Sequence, residues 1–153
     1  MNLPQTLYTN NTAETEDVGA MLANAMTLDT SFPPFVALYG DLGVGKTAFV
    51  RGFTHTLAPA ALVRSPTFAL VNEYRAGART LFHFDMYRID SEDDLDSIGF
   101  YDYLDRNGIC LVEWSEKIPY ALPEAYLRVT IEKLGEEHPD QRRITVEAVE
   151  VTA

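Results

Sequence analysis

One stretch restricts this chain more than any other. Gly40-Asp41-Leu42-Gly43-Val44-Gly45-Lys46-Thr47 fits the phosphate-binding pattern G-x-x-x-x-G-K-[ST] without a mismatch. From average glycine usage, a chance match in a chain of this length has odds on the order of one in a hundred or less. The flanks agree with it. Phe35-Val36-Ala37-Leu38-Tyr39 reads as a buried strand, while Phe49, Phe53 and Leu57 recur every four residues, the spacing of one helix face. Glycines suit such a loop because main-chain N–H groups must point inward at phosphate oxygens, and a Cβ would block that approach. The following helix aims its free N–H groups and positive dipole end at the same place. A strand, loop and helix of this kind predict a nucleoside-triphosphate site. The loop residues Leu42, Gly43, Val44, Gly45, Lys46 and Thr47 contact the phosphates, Lys46 reaches the β/γ-phosphates and the Thr47 hydroxyl ligates Mg²⁺.

Composition narrows the partners. The 153 residues are 46% hydrophobic, enough for a sizeable core, and residues 1–153 read as a single P-loop NTPase domain. Twelve Lys and Arg against 23 Asp and Glu leave a formal charge of −11. Such a surface repels a phosphate backbone, which argues against direct binding to DNA or RNA and leaves any nucleic-acid role to a partner. The lone Cys110 excludes an internal disulfide and sits in an apolar run, as a core residue would. The first residues have neither the basic nor the apolar region of a secretory signal, and no apolar run approaches membrane-spanning length. A soluble, cytoplasmic protein is expected.

Along the chain, Thr12 to Leu28 reads as an amphipathic helix presenting Val18, Met21, Leu22, Ala25 and Met26 on one face. Asn11 and Glu14 stand at its entry as a capping pair. Ser31-Phe32-Pro33-Pro34 breaks the chain before the P-loop strand, and the P-loop helix should run from Lys46 to about Leu57. Thr67–Tyr74 and Leu81–Tyr87, joined through Ala76-Gly77-Ala78, predict an antiparallel hairpin. Ser91 is the expected N-cap of a short acidic helix through Asp96. Ile109–Val112 is a buried-type strand, and the alternating runs Tyr126–Lys133 and Arg143–Val149 predict a closing hairpin. Together these give a three-layer α/β fold whose mixed central sheet has a parallel P-loop core extended by antiparallel strands.

A P-loop also needs a carboxylate at the tip of a neighbouring strand. Glu113 ends the apolar run Ile109-Cys110-Leu111-Val112, and Asp85 ends Leu81-Phe82-His83-Phe84. Glu113 is assigned to the metal with Thr47; Asp85 then orients the attacking water or completes the metal shell. The competing reading for each is a strand-end acid that caps a helix or faces solvent. His83 shares the side of its strand with Asp85, so it either touches the site or is a packed, hydrogen-bonded residue, the commoner fate of a lone histidine between phenylalanines. The hydroxyls of Ser65 and Thr67 either sense the γ-phosphate or lie in a turn set by Pro66. Trp114 either stacks on a flat group or is structural, and Glu92-Asp93-Asp94 reads as a solvated helix start.

Several motifs then stand in one order. The P-loop is followed by Phe49-Val50-Arg51-Gly52, Ser65-Pro66-Thr67-Phe68, Val71-Asn72-Glu73-Tyr74, His83-Phe84-Asp85-Met86-Tyr87-Arg88 and Leu111-Val112-Glu113-Trp114. From the first helix through Trp114 the chain closely resembles the TsaE (YjeE) family, the small bacterial ATPase of tRNA threonylcarbamoyladenosine biosynthesis. The resemblance implies weak ATP hydrolysis with Mg²⁺ and work with a TsaB–TsaD complex. That complex modifies the adenosine beside the anticodon, so tRNA is met only through it, and the ATPase resets it between rounds. It also implies that Lys46, Asp85 and Glu113 are the catalytic set with Thr47, that Asp85 and Thr67 lie against the nucleotide, and that Ser65–Thr67 is a switch-like segment. Val44 replaces a commoner alanine at a variable position, and Ser115 replaces the usual proline after tryptophan.

Rivals are weaker. The guanine-selecting Asn-Lys-x-Asp is missing, so adenine is expected. A P-loop small-molecule kinase would carry a compact arginine lid, which Arg75, Arg79, Arg106, Arg128, Arg142 and Arg143 do not form in sequence. A nucleotide-gated adaptor with incidental hydrolysis is the third reading. Asn11 to Thr15, beside the P-loop edge, is one candidate segment for the adenine side, and Arg142 or Arg143 is a candidate to reach the nucleotide without a motif to mark it.

Overall fold

The computed structural model describes residues 1–151. Seven strands form one sheet: β1 (Gln5–Thr9), β2 (Phe35–Tyr39), β3 (Val71–Ala76), β4 (Arg79–Asp85), β5 (Gly108–Glu113), β6 (Ala125–Lys133) and β7 (Arg142–Glu150), in the spatial order β1-β7-β6-β2-β5-β4-β3. The P-loop strand β2 pairs parallel with β5 and β6, and β4 pairs parallel with β5. Antiparallel strands extend both sides, β3 on β4 and β7 with β1 beyond β6. This is the expected mixed sheet. Phe35–Leu38 of β2 and Ile109–Val112 of β5 are buried because both faces of the sheet are covered there, so these runs are apolar throughout.

One face packs α1 (Thr12–Leu28) and α2 (Lys46–Leu57). Val36, Leu38, Leu111 and Val129 from the sheet meet Leu22, Phe49 and Phe53 there. Burial of each such large side chain contributes roughly 1.5–3 kcal/mol. Alternate residues of the same strands, Phe35, Ala37, Phe84 and Val112, point to the other face. That face is covered by α3 (Glu92–Ser97), α4 (Phe100–Leu104) and two 3₁₀ turns, Ser115–Lys117 and Pro119–Ala121, through Leu95, Phe100, Ile118 and Ala121.

The two long helices touch backbone to backbone. A Cβ on Gly52 would lie 1.8 Å from the Glu16 carbonyl oxygen, and one on Gly19 would lie 2.1 Å from that of Phe49. Only glycine permits this crossing, which clamps α2, and with it the P-loop, against α1.

Local expectations hold with adjustments. Asn11 accepts from the Glu14 N–H at 2.9 Å, while Glu14 reaches back to the Asn10 N–H, one residue earlier than a simple capping box. Ser91 caps α3 through the Asp94 N–H. The β3–β4 hairpin turns at Gly77, with φ +64°. Its first strand begins at Val71 rather than Thr67, because Thr67–Ala69 turns and Leu70 takes a left-handed conformation; its second ends at Asp85, not Tyr87. Met21 faces outward rather than into the core. β1 is a strand that the sequence does not predict, since five residues of mixed polarity give little apolar alternation. Cys110 is buried, and burial pushes its thiol up to about 12. No helix of the described residues is long and apolar enough to cross a membrane.

Candidate functional site

The three parallel strands β2, β5 and β4 deliver their carboxyl ends to one place, where the chain leaves the sheet and backbone groups lose their ladder partners. Gly40 to Gly45 leaves β2 there and enters α2. Gly45 holds φ +110° as the N-cap of α2, and no side chain caps that helix. The contrast with α1 and α3, capped by Asn11 and Ser91, is physical. The first N–H groups of α2 lack a protein side-chain acceptor and face the cleft, as an anion site requires.

The cleft encloses about 270 Å³. Leu42, Gly43, Gly45, Lys46 and Thr47 form one wall, with Ser65, Thr67, Asp85, Glu113 and Trp114 around the rest. Among these lining residues Lys46 carries the one positive charge. Its ammonium donates to the Gly40 carbonyl and sits 3.6 Å above the Trp114 ring centroid. Removal from water holds its pKa below the ordinary lysine value, although Glu116, Glu113, Asp85 and Asp41 all oppose the shift.

Both predicted acids arrive in the cleft, and register explains why. Asp85 and Glu113 are paired positions at the ends of parallel β4 and β5. Both are buried, 6% and 4% exposed, where a free surface acid would be open to water. The Thr47 hydroxyl donates to the Glu113 carboxylate at 3.0 and 3.1 Å. The Thr67 hydroxyl donates to Asp85 at 3.2 Å, and the Tyr87 N–H to its other oxygen at 2.9 Å. Thr67 also shares a 2.7 Å hydrogen bond with Ser65, so both hydroxyls of the Ser-Pro-Thr segment belong to the cleft. His83 is fully buried and hydrogen-bonded, and its partner is Glu113, at 2.5 Å. Its two readings were thus not exclusive.

Three further features complete the cleft, of which the Glu116 contact has no local signal in the sequence. Trp114 takes a left-handed conformation (φ 58°) and packs at 5.0 Å on Tyr87, making an aromatic wall beneath Lys46. Glu116 accepts from the Gly40 N–H at 3.2 Å, tying the turn after β5 to the start of the P-loop. Arg142 donates Nε–H to the Val44 carbonyl at 2.7 Å. That last contact depends on β7 lying beside β1 and β6, with Arg142 opposite both Thr9 and Lys133, and no local pattern reveals such a register. Beside it a second hollow of about 100 Å³ brings Asn11, Thr12 and Thr15 against Gly43, Gly45 and Ala48. Arg143 turns away, onto Glu132. Ser115, the departure after tryptophan, is buried and donates to the Val112 carbonyl at 2.8 Å, so the hydroxyl itself ties this turn.

Comparisons with known proteins point to one family. Residues 9–144 match the family model described as threonylcarbamoyl adenosine biosynthesis protein TsaE. The tRNA threonylcarbamoyladenosine biosynthesis protein TsaE of Bacillus subtilis is 41% identical over 114 residues, covering 74% of this chain and 69% of the relative. The protein of that name from a Nostoc species is 36% identical over 135 residues, covering 86% and 79%. Among solved structures, that of Bacillus subtilis YdiB superposes with a TM-score of 0.72 at 30% identity, covering 98% of this chain and 89% of that one. With the matched segment running from the end of β1 through the start of β7, and so through every strand that frames the cleft, this chain belongs to the TsaE family of threonylcarbamoyl adenosine biosynthesis proteins.

Proposed function

We propose that this chain is a Mg²⁺-dependent ATPase that binds and slowly hydrolyses ATP in the cleft, and that it serves tRNA threonylcarbamoyladenosine formation by resetting a TsaB–TsaD complex between rounds. The observation that carries this reading is the Thr47–Glu113 contact, which brings a P-loop hydroxyl and a strand-end carboxylate together beside uncapped helix amides.

The donor set suits the group. Magnesium takes hard oxygen ligands, few of them from protein, the remainder from water and phosphate. Thr47 and Glu113 offer one hydroxyl and one carboxylate, and the described residues form no separate cluster of three His, Cys, Asp or Glu side chains. Bound there, the ion supplies Lewis-acid neutralisation of phosphate oxygens. The chain's own groups do the rest. Amides from Gly43 to Thr47 cradle the phosphates; Lys46 leaves the Gly40 carbonyl to meet the β/γ-oxygens. Asp85, steadied by Thr67 and Tyr87, orients the water that attacks in line with the leaving oxygen. The hollow beside Asn11, Thr12 and Arg142 receives the nucleoside end, and adenine is expected there.

Slow intrinsic turnover follows from the charge inventory. Lys46 alone lines the cleft with positive charge, and Arg106, Arg128 and Arg143 are engaged with Glu73, Glu147 and Glu132 elsewhere. The same inventory counts against the small-molecule kinase, which needs a clamp on the transferred phosphate. Phosphate release measured for the chain alone and with TsaB–TsaD, using ATP and GTP, tests the proposal. Slow release that the complex accelerates, with ATP preferred, is expected. Rapid transfer of phosphate to a metabolite by the isolated chain would overturn it in favour of the kinase.

A further inference from the structure

We propose that His83 is a positioning residue for Glu113, donating its Nε2–H to that carboxylate and fixing the orientation in which the acid faces Thr47 and the cleft. This rests on the reading of Glu113 as the metal-side acid.

Strand alternation sets the direction. His83 and Asp85 project to one side of β4, while Phe82 and Phe84 project into the opposite core. Parallel pairing puts His83 opposite Leu111 and Asp85 opposite Glu113, so the long glutamate side chain folds back one rung and meets the imidazole. The ring is wholly buried, and its Nε2 lies 2.5 Å from Glu113 Oε2.

The other nitrogen identifies the donor. Nδ1 of His83 is buried and has no hydrogen-bond partner among the protein groups of the described residues. A proton there would be an unpaired buried donor, a costly arrangement, whereas a bare lone pair is cheaper to leave unmatched. The proton therefore resides on Nε2 and points at Glu113. A histidine kept only for packing gains nothing from this arrangement, since an apolar side chain of similar volume would fill the space without stranding Nδ1. Glu113 gains a donor that does not compete for the cleft. Its other side-chain donor is the Thr47 hydroxyl, whose oxygen would also be needed to hold the ion. Hydrogen bonds that orient a ligating carboxylate commonly govern metal affinity by roughly 10–100-fold.

Two readouts on the full-length chain decide the matter. The first is long-range ¹H–¹⁵N NMR of the three histidines without metal or nucleotide, with His83 assigned by its disappearance in His83→Gln. An Nε2–H tautomer whose signal shifts in Glu113→Gln is expected; an Nδ1–H tautomer overturns the proposal. The second is the Mg²⁺ concentration needed for half-maximal ATP binding, set against ATP affinity in EDTA. His83→Leu should raise the Mg²⁺ requirement roughly tenfold or more and leave binding in EDTA unchanged. His83→Gln, which can place an N–H near the same spot, should recover most of the loss. Equal defects in Gln and Leu, or no defect in Leu, overturn the proposal. Should His83→Leu fail to fold, the tautomer of the wild-type ring still decides. A wild-type Mg²⁺ requirement in Glu113→Gln would instead remove Glu113 from the metal, and the inference with it; that result is distinguishable because the wild-type tautomer stays Nε2–H.

Discussion

The two ends of this sheet use similar side chains under opposite conditions. At the carboxyl ends of β4 and β5, His83, Asp85 and Glu113 are buried beside Lys46. On the antiparallel flank, Arg128 pairs with Glu147 and Arg143 with Glu132 at 2.9 and 3.0 Å, with side chains about as near one another but open to water. Water screens the flank pairs and their side chains keep much of their freedom, so each contributes little. In the cleft the charged side chains are themselves largely shielded from water and act on one another at short range. A buried set of this kind is costly to the fold and is best explained by what it binds.

Five substitutions can break or sharpen that contrast. The largest effect belongs to Lys46→Ala, which should weaken triphosphate binding by roughly 10³-fold, as measured calorimetrically, since nothing else lining the cleft offers positive charge. Near-normal affinity would mean the cleft is not the phosphate site. Next, Asp85→Ala and Glu113→Ala should keep binding ATP while single-turnover hydrolysis falls by roughly 10²-fold. An unchanged rate in either would strike that acid from the mechanism. Third comes Gly52→Ala, outside the cleft at the α1–α2 crossing. Its methyl would meet the Glu16 carbonyl and push α1 from α2, which should cost about 2 kcal/mol in urea unfolding. Little change there would mean the helices separate easily and do not clamp the P-loop. Smallest is Arg143→Ala on the flank, expected within about 0.5 kcal/mol of wild type by the same measurement. A cost approaching that of Gly52→Ala would erase the distinction between the two ends.

Legibility in the sequence follows the same division. Elements governed by local spacing were readable: α2 spans Lys46 to Leu57 as its four-residue apolar repeat predicts, and β6 and β7 pair as their alternation predicts. Asp85 and Glu113 were readable because an acid after an apolar strand is a local signal, and the parallel pairing then brought them side by side. What stayed hidden depends on contacts between distant segments. Arg142 meets Val44 across 98 positions and Glu116 meets Gly40 across 76. β1 has too little apolar alternation to announce itself and exists because β7 offers an unpaired edge. Thr67 to Leu70 carries β-type residues yet turns, since Leu70 accepts from the Asp85 N–H and draws the segment over the acid it serves. Tertiary hydrogen bonding overrode local preference there.

The most direct test of the central claim is a crystal structure of the chain with Mg²⁺ and a non-hydrolysable ATP analogue. The account predicts phosphate oxygens on the amides of Gly43 to Thr47, Lys46 released from the Gly40 carbonyl and Trp114, and an ion on the Thr47 hydroxyl facing Glu113. An analogue bound elsewhere, with Lys46 still on Gly40 and the Thr47–Glu113 hydrogen bond untouched, would contradict it.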